Sequence, residues 1–251
     1  FLHVTPNEGK HLLHGGNTGF HTKIWRVETF EEKDCLTTKY SLTYEEEFPG
    51  ELQIEVCFSL LETNEVVVTY SGVNSEDTLL NCTNHSYFNL SGNLKETIHN
   101  HTLKMNAPRY IPINKHGLPL GKPLEVEDTV FDFTQAKPLS AVIGATDKQL
   151  CLASGGLDHT FLLDEGIITL TDSNSGRQLI VVTQEPAVVV YTGNKIGSGY
   201  SFKEANAKNF LGICLEEQNV PNSIKYPQYP SAFLAKDTPY SKTTTYKFEV
   251  I

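Results

Sequence analysis

The sequence predicts an all-β protein, a large antiparallel β-sandwich with its site in a cleft on one face, and three observations predict it. First, Leu52, Ile54, Val56, Phe58 and Leu60 share one face of an extended run, with Gln53, Glu55 and Ser59 opposite. That is the period of two of a half-buried strand. Second, two hairpins are legible. Pro49-Gly50 opens the first run and Glu62-Thr63-Asn64 parts it from residues 66–70, while Asp172 to Gly176 parts residues 167–171 from 179–183. Third, no window of a dozen residues carries helical periodicity; the few candidates, such as residues 201–208, are short.

The remaining elements follow in order. Residues 78–82 read as strand-like, and β-branched or aromatic runs at 188–191, 212–215 and 244–250 supply further strands. Between about Asn93 and Gly156 there are five prolines and no sustained alternation, so short strands joined by long loops are expected. No repeat or low-complexity linker divides the chain, and residues 1–251 are expected to form a single domain.

Composition narrows the class. At 251 residues, 39% hydrophobic and 20% charged, the chain is an ordinary folded globule. No apolar run approaches the ~20 residues that span a bilayer. A net charge of −10 repels phosphate backbones and anionic lipid, which argues against nucleic-acid and membrane partners and for a neutral or cationic small molecule. Cys35, Cys57, Cys82, Cys151 and Cys214 are odd in number and scattered, with no CxxC. Neither a disulfide frame nor a zinc knuckle is expected, and the compartment is a reducing, cytoplasmic one. Sequons begin at Asn81, Asn84, Asn89 and Asn100; they are read as chance matches, because glycans there would obstruct the histidine discussed next.

Titratable residues stand among turn formers and apolar residues in three places: Asn84 to Gly92, Gly156 to His159, and Leu215 to Gln218. His85 lies near a loop mouth, where an imidazole is a usable acid or base; the bland alternative is a histidine bonded inside a turn. Alternation puts Cys214 and Glu216 on one face, where partial burial would raise the carboxyl's proton affinity; the bland alternative is a surface charge on an edge strand. Glu217 must face the other way. Asp158 and His159 also diverge, with a turn aspartate as the alternative. Two histidines, His11 and His14, precede Gly15-Gly16, a place for backbone to approach a ligand. No HExxH occurs, and His99-Asn100-His101 lacks acidic ligands, so no metal is expected. No P-loop, GxSxG or dinucleotide fingerprint occurs, so no cofactor is expected.

At these residues the chain resembles the aldose 1-epimerase (galactose mutarotase) family over nearly its whole length. The blocks are Leu13 to Phe20 with Trp25, Thr83 to Gly92, Val126 to Phe133, Gly156 to His159, Tyr191 to Asn194, and Gly212 to Gln218 followed by Pro221-Asn222-Ser223. The resemblance implies a supersandwich of the galactose mutarotase type that interconverts α and β anomers of a free hexose, as monomer or homodimer. It assigns Glu216 as general base at the anomeric hydroxyl and His85 as general acid at the ring oxygen. His14 and Asp158 would hold sugar hydroxyls, and Tyr87 would line the pocket. There are two departures. The family's sugar-binding Asn-Arg pair lies upstream of Phe1, so the chain is expected to lack an N-terminal segment. Val189 stands where many members carry glutamine or an aromatic residue. Two alternatives remain: a hexose-6-phosphate 1-epimerase, and a non-catalytic sugar-binding or regulatory protein.

Overall fold

The computed structural model describes residues 3–251, which fall into two compact units. The first comprises the chain up to Asn81 together with Ala232–Thr243. Its strands begin with β1 (Arg26–Glu32), β2 (Cys35–Tyr44), β3 (Leu52–Leu61), β4 (Glu65–Asn74) and β5 (Thr78–Leu79). β1 to β4 form an antiparallel meander, and the hairpin expected from alternation is β3 paired with β4, Leu52 opposite Asn74 and Leu61 opposite Glu65. Asn64 closes that hairpin at φ 61, a left-handed conformation that asparagine tolerates.

The second unit comprises Cys82–Ser231 and Thr244–Ile251. It contributes β6 (Tyr87–Phe88), β7 (Thr102–Met105), β8 (Arg109–Ile111), β9 (Leu124–Glu125), β10 (Lys137–Pro138), β11 (Asp158–Leu162), β12 (Ile167–Asp172), β13 (Arg177–Thr183), β14 (Ala187–Tyr191) and β15 (Ile213–Gln218). In the first unit β16 (Phe233–Leu234) pairs with β5. Finally β17 (Tyr240–Val250) enters the second unit at Thr244 and pairs with β13 from Thr183–Thr244 to Arg177–Val250.

Within the second unit one sheet runs β6-β15-β14-β11-β8-β9, and β17, β13, β12, β7 and β10 are consecutive neighbours in another. Each turns alternate residues inward: Phe161, Val188, Val190, Ile213 and Leu215 from one, and Leu103, Met105, Ile168, Leu170, Leu179 and Val181 from the other, all buried. The Tyr246 hydroxyl on β17 donates to Glu217 Oε2 on β15 at 2.7 Å, and the Phe88 and Tyr246 rings meet at 5.7 Å. The sandwich expected from the sequence is present, with short strands and long loops between Asn93 and Gly156 as anticipated. No helix forms at 201–208; a Ser201–Asn206 bridge lies there instead. The α-helix is Lys148–Leu152, capped by Asp147 Oδ1, which accepts from the Gln149 and Leu150 N–H groups. Five residues are too few to imprint a helical period on the sequence.

Candidate active site

The site in the second unit is written in strand register. Residues directly opposite in antiparallel strands point to the same face. One row therefore crosses four strands: Tyr87 on β6 opposite Cys214 on β15, Cys214 opposite Tyr191 on β14, and Tyr191 opposite Asp158 on β11. The next row holds Glu216, Val189 and Thr160. Leu215 and Glu217 point the other way, into the sandwich. Of the adjacent acids only Glu216 faces the pocket, as alternation demanded.

His85, two residues before β6, completes the cluster. Its Nε2 lies 3.3 Å from Glu216 Oε1 and its Nδ1 lies 3.4 Å from Cys214 Sγ. The His85, Tyr87 and Tyr191 rings stand 5.2 to 6.3 Å apart, an aromatic wall around the acid. His85 is exposed, whereas Glu216 is 5% exposed and Cys214 is fully buried, so the set opens to solvent at the imidazole. The bland alternative for Glu216 fails: β15 is flanked by β6 and β14, so Glu216 is no edge-strand surface charge, and His85 reaches across 129 residues to Cys214.

The loop carrying His85 is braced by its own polar residues. Asn84 Oδ1 accepts from the Ser86 N–H. The Asn89 amide donates to the Glu96 and Leu211 carbonyls while its oxygen accepts from Ser91. The Leu90 N–H donates to His101 Nε2 at 2.8 Å, so the second histidine of His99-Asn100-His101 is a structural acceptor. Ser175 and Arg177 donate to the Leu90 carbonyl.

Asp158 is positioned by two sequence blocks acting as one brace. Thr192 Oγ1 accepts from the Leu157 N–H, and the Asn194 amide donates to the Ala153 and Leu157 carbonyls at 2.7 Å. This brace presses on Gly156, where a Cβ would stand 2.2 Å from Asn194 Oδ1. Asp158 opens β11, half-buried, rather than serving as a turn aspartate, and His159 faces away into the core. The Val126 to Phe133 block is structural: Phe131 stacks on Tyr110 at 4.1 Å and Phe133 is fully buried. His14 belongs to the first unit, exposed and at φ 53. Gly15 and Gly16 follow at φ 77 and 76, so that glycine pair makes a left-handed turn into a 3-10 helix.

The electrostatics favour protonated carboxyls. Burial pushes Glu216 up to about 8, with Asp158 and Glu217 adding to the rise and the Gln218 amide opposing it. Burial also raises Asp158, against the pull of Lys195 and His85. The Cys214 thiol and the Tyr87 hydroxyl are pushed up chiefly by burial. On the core face burial lifts Glu217 to about 7, although Tyr246 donates to it. Because this folded-state value exceeds the unfolded one, Glu217 costs no stability at pH below its ordinary value of 4.5, and stability falls as pH rises through about 7. Glu217→Gln is therefore expected to raise Tm at pH 9 relative to wild type and to change it little at pH 4, measured by thermal melts at both.

Sequence reasoning missed Tyr191 as a wall residue and Cys214 as a direct neighbour of His85. The signal was the pairing of residues 187–191 with 214–218, which no single-strand pattern states. Tyr191 is further held by the Lys195 N–H, which donates to its hydroxyl at 2.9 Å.

Comparison with known proteins decides the family. The Aldose 1-epimerase family profile matches residues 2–247. Galactose mutarotase of Mus musculus is 35% identical, over 99% of this chain and 72% of its own length. The chain belongs to the aldose 1-epimerase family. The aldose 1-epimerase of Haemophilus influenzae is 33% identical over 91% of this chain and 67% of its own. A galactose 1-epimerase structure from Lactobacillus acidophilus superposes with a TM-score of 0.88 at 28% identity, over 98% of this chain and 72% of that one. The aldose 1-epimerases are isomerases. Among the described residues no helix is long and apolar enough to cross a membrane.

Proposed function

We propose that this chain interconverts the α and β anomers of a free hexose, with Glu216 as base and His85 as acid. The observation that carries the reading is the 3.3 Å separation of His85 Nε2 and Glu216 Oε1 on one open sheet face. Ring opening takes a proton from the anomeric hydroxyl and gives one to the ring oxygen, two oxygens bonded to the same carbon. An acid and a base one hydrogen bond apart suit such a pair. Opening leaves a proton on Glu216 and withdraws one from His85; the C1–C2 bond rotates, and closure returns both. The pair carries one proton throughout and consumes no cofactor. A carboxyl raised to about 8 is mostly protonated at neutral pH, so the base acts through its carboxylate fraction, about a tenth at pH 7, and that fraction binds the anomeric proton more strongly than an ordinary carboxylate would.

Asp158, in the row next to that of Glu216, is proposed to hold a sugar hydroxyl, and Tyr87 to line the pocket. The share of His14 in sugar binding rests on its motif alone, and Val189 beside Glu216 is proposed to bear on which hexose is preferred. The hexose is the proposed partner, without nucleic acid or membrane, and the net charge of −10 supports this. The chain is proposed to act as a monomer or homodimer in the cytoplasm, a reducing setting that its five free cysteines favour.

Polarimetry on freshly dissolved α-glucose and α-galactose tests the reading. Wild type is expected to speed the rotation change, and His85→Asn to slow it by about 10²- to 10⁴-fold. The rate should rise as pH approaches about 8, where Glu216 loses the proton that keeps it from acting as base. Saturable sugar binding without acceleration would turn the conclusion to a sugar-binding protein. Acceleration confined to a hexose 6-phosphate would turn it to a sugar-phosphate epimerase.

A further inference from the structure

The floor of the pocket is also a metal donor set. His85, Cys214 and Glu216 each offer one ligand atom, and the three atoms lie within 4.8 Å of one another. A tetrahedral zinc ion holds nitrogen and oxygen ligands at about 2.0–2.2 Å and thiolate at about 2.3 Å, which separates neighbouring ligand atoms by roughly 3.3–3.6 Å. His85 Nε2 and Glu216 Oε1 already stand 3.3 Å apart. Cys214 Sγ lies 3.4 Å from the other ring nitrogen, Nδ1, so joining the same set asks the thiol or the imidazole to move. Cys214 and Glu216 are fixed on one face by their alternate places on β15, so two of the three donors are rigidly presented.

The donor chemistry selects the ion. Mixed nitrogen, sulfur and oxygen suit zinc and its cobalt and cadmium analogues, while magnesium and calcium take oxygen shells. Asp158 adds a second carboxylate whose charge is felt by both Glu216 and Cys214. The exposed imidazole gives the ion access from solvent and leaves a fourth position for water.

We propose that the chain binds a thiophilic divalent cation of the zinc type through His85, Cys214 and Glu216, and that the ion inhibits mutarotation by occupying acid and base together. On binding, the Cys214 thiol releases its proton to solvent and becomes the thiolate ligand, and the His85–Glu216 pair releases the one proton it shares, leaving a neutral imidazole and a carboxylate as ligands. The inhibition rests on the acid–base reading of this site; the binding does not.

The purified chain, stripped of metal with a chelator, is titrated with cobalt(II). The expected result is a thiolate-to-cobalt charge-transfer band that saturates at one ion per chain and is displaced by zinc. Cys214→Ser should abolish the band, and Cys151→Ser, at an exposed cysteine, should keep it. His85→Ala, at an exposed position that leaves the core untouched, should weaken cobalt binding at least tenfold, which keeps the test intact if Cys214→Ser does not fold. Zinc should suppress the polarimetric rate reversibly, and Cys214→Ser should need at least tenfold more zinc for half-suppression of its own rate. No band, or a band undiminished in Cys214→Ser and His85→Ala, overturns the metal site while leaving the acid–base reading untouched. The band in a chain that proves inactive toward every hexose supports the metal site and counts against the catalytic reading instead.

Discussion

Glu216→Gln is expected to reduce mutarotation by 10²- to 10⁴-fold or more and, at the same time, to make the protein more heat-stable in alkali. Both effects have one cause. The carboxyl sits 5% exposed, with Asp158 two strands away on the same face and Glu217 adjacent in sequence, and its proton affinity is raised to about 8 by that burial and those charges. The amide occupies the same space and cannot take the anomeric proton, so kcat falls with little change in sugar affinity. The stability sign follows from linkage. A carboxyl raised from its ordinary value of 4.5 costs nothing at pH below that value, and it subtracts stability as pH rises through the folded value near 8. The amide carries no charge at any pH. The variant and wild type should melt together near pH 4 and separate by several degrees at pH 9, at about 2–4 °C per kcal/mol for a chain of this size. Melting curves at the two pH values, beside polarimetry at neutral pH, check both halves. An inactive variant with no alkaline stabilisation would refute the view that the base is a strained, buried charge.

Gly156→Ala is expected to damage the site from beneath. A Cβ there would stand 2.2 Å from Asn194 Oδ1 and 2.4 Å from Thr192 Oγ1, below the 3.0 Å that real Cβ atoms respect. Those two side chains also carry the hydrogen bonds that hold Leu157 in front of Asp158, so they cannot withdraw without releasing the brace. A loss of about 1–3 kcal/mol is expected from overpacking. The KM for sugar should rise more than kcat falls, because Asp158 moves while the His85–Glu216 contact lies elsewhere on the sheet. Gly155→Ala is the control. It meets no atom within 4 Å and suffers only the penalty of φ +90, about 1–2 kcal/mol, so it should leave KM near wild type. Equal KM effects at the two glycines would sink the brace.

Much of this was legible in the chain, for a definable reason. Period-two alternation is a local property, so the β3–β4 and β12–β13 hairpins and the opposite facing of Glu216 and Glu217 were readable without a fold. Alternation did not say which acid faces the pocket; the family resemblance supplied that. Cross-strand register is non-local, and so Tyr191 and the Cys214 contact with His85 were out of reach. Motif blocks also mixed two kinds of residue. Val126 to Phe133 is one of the blocks that carry the family resemblance, yet it serves packing through Val126, Phe131 and Phe133, because a buried aromatic pair leaves as sharp a sequence signature as a catalytic one. Thr192 and Asn194 serve the site only by bracing Gly156 and Leu157. Lys148–Leu152 left no signature at all.

The acidic doublet on β15 has a consequence for how the chain finds its fold. In most strands a one-residue slip drags a charge into the oil and is rejected at once. Here, sliding β15 by one position still leaves one acid on each face: Glu217 enters the cleft while Glu216 turns inward to the place Leu215 held. Charge is therefore mute about alignment at this spot. The discrimination falls to bulk, to whether the larger leucine or the smaller thiol lies inward, and to Tyr246 recovering an acceptor at the right depth.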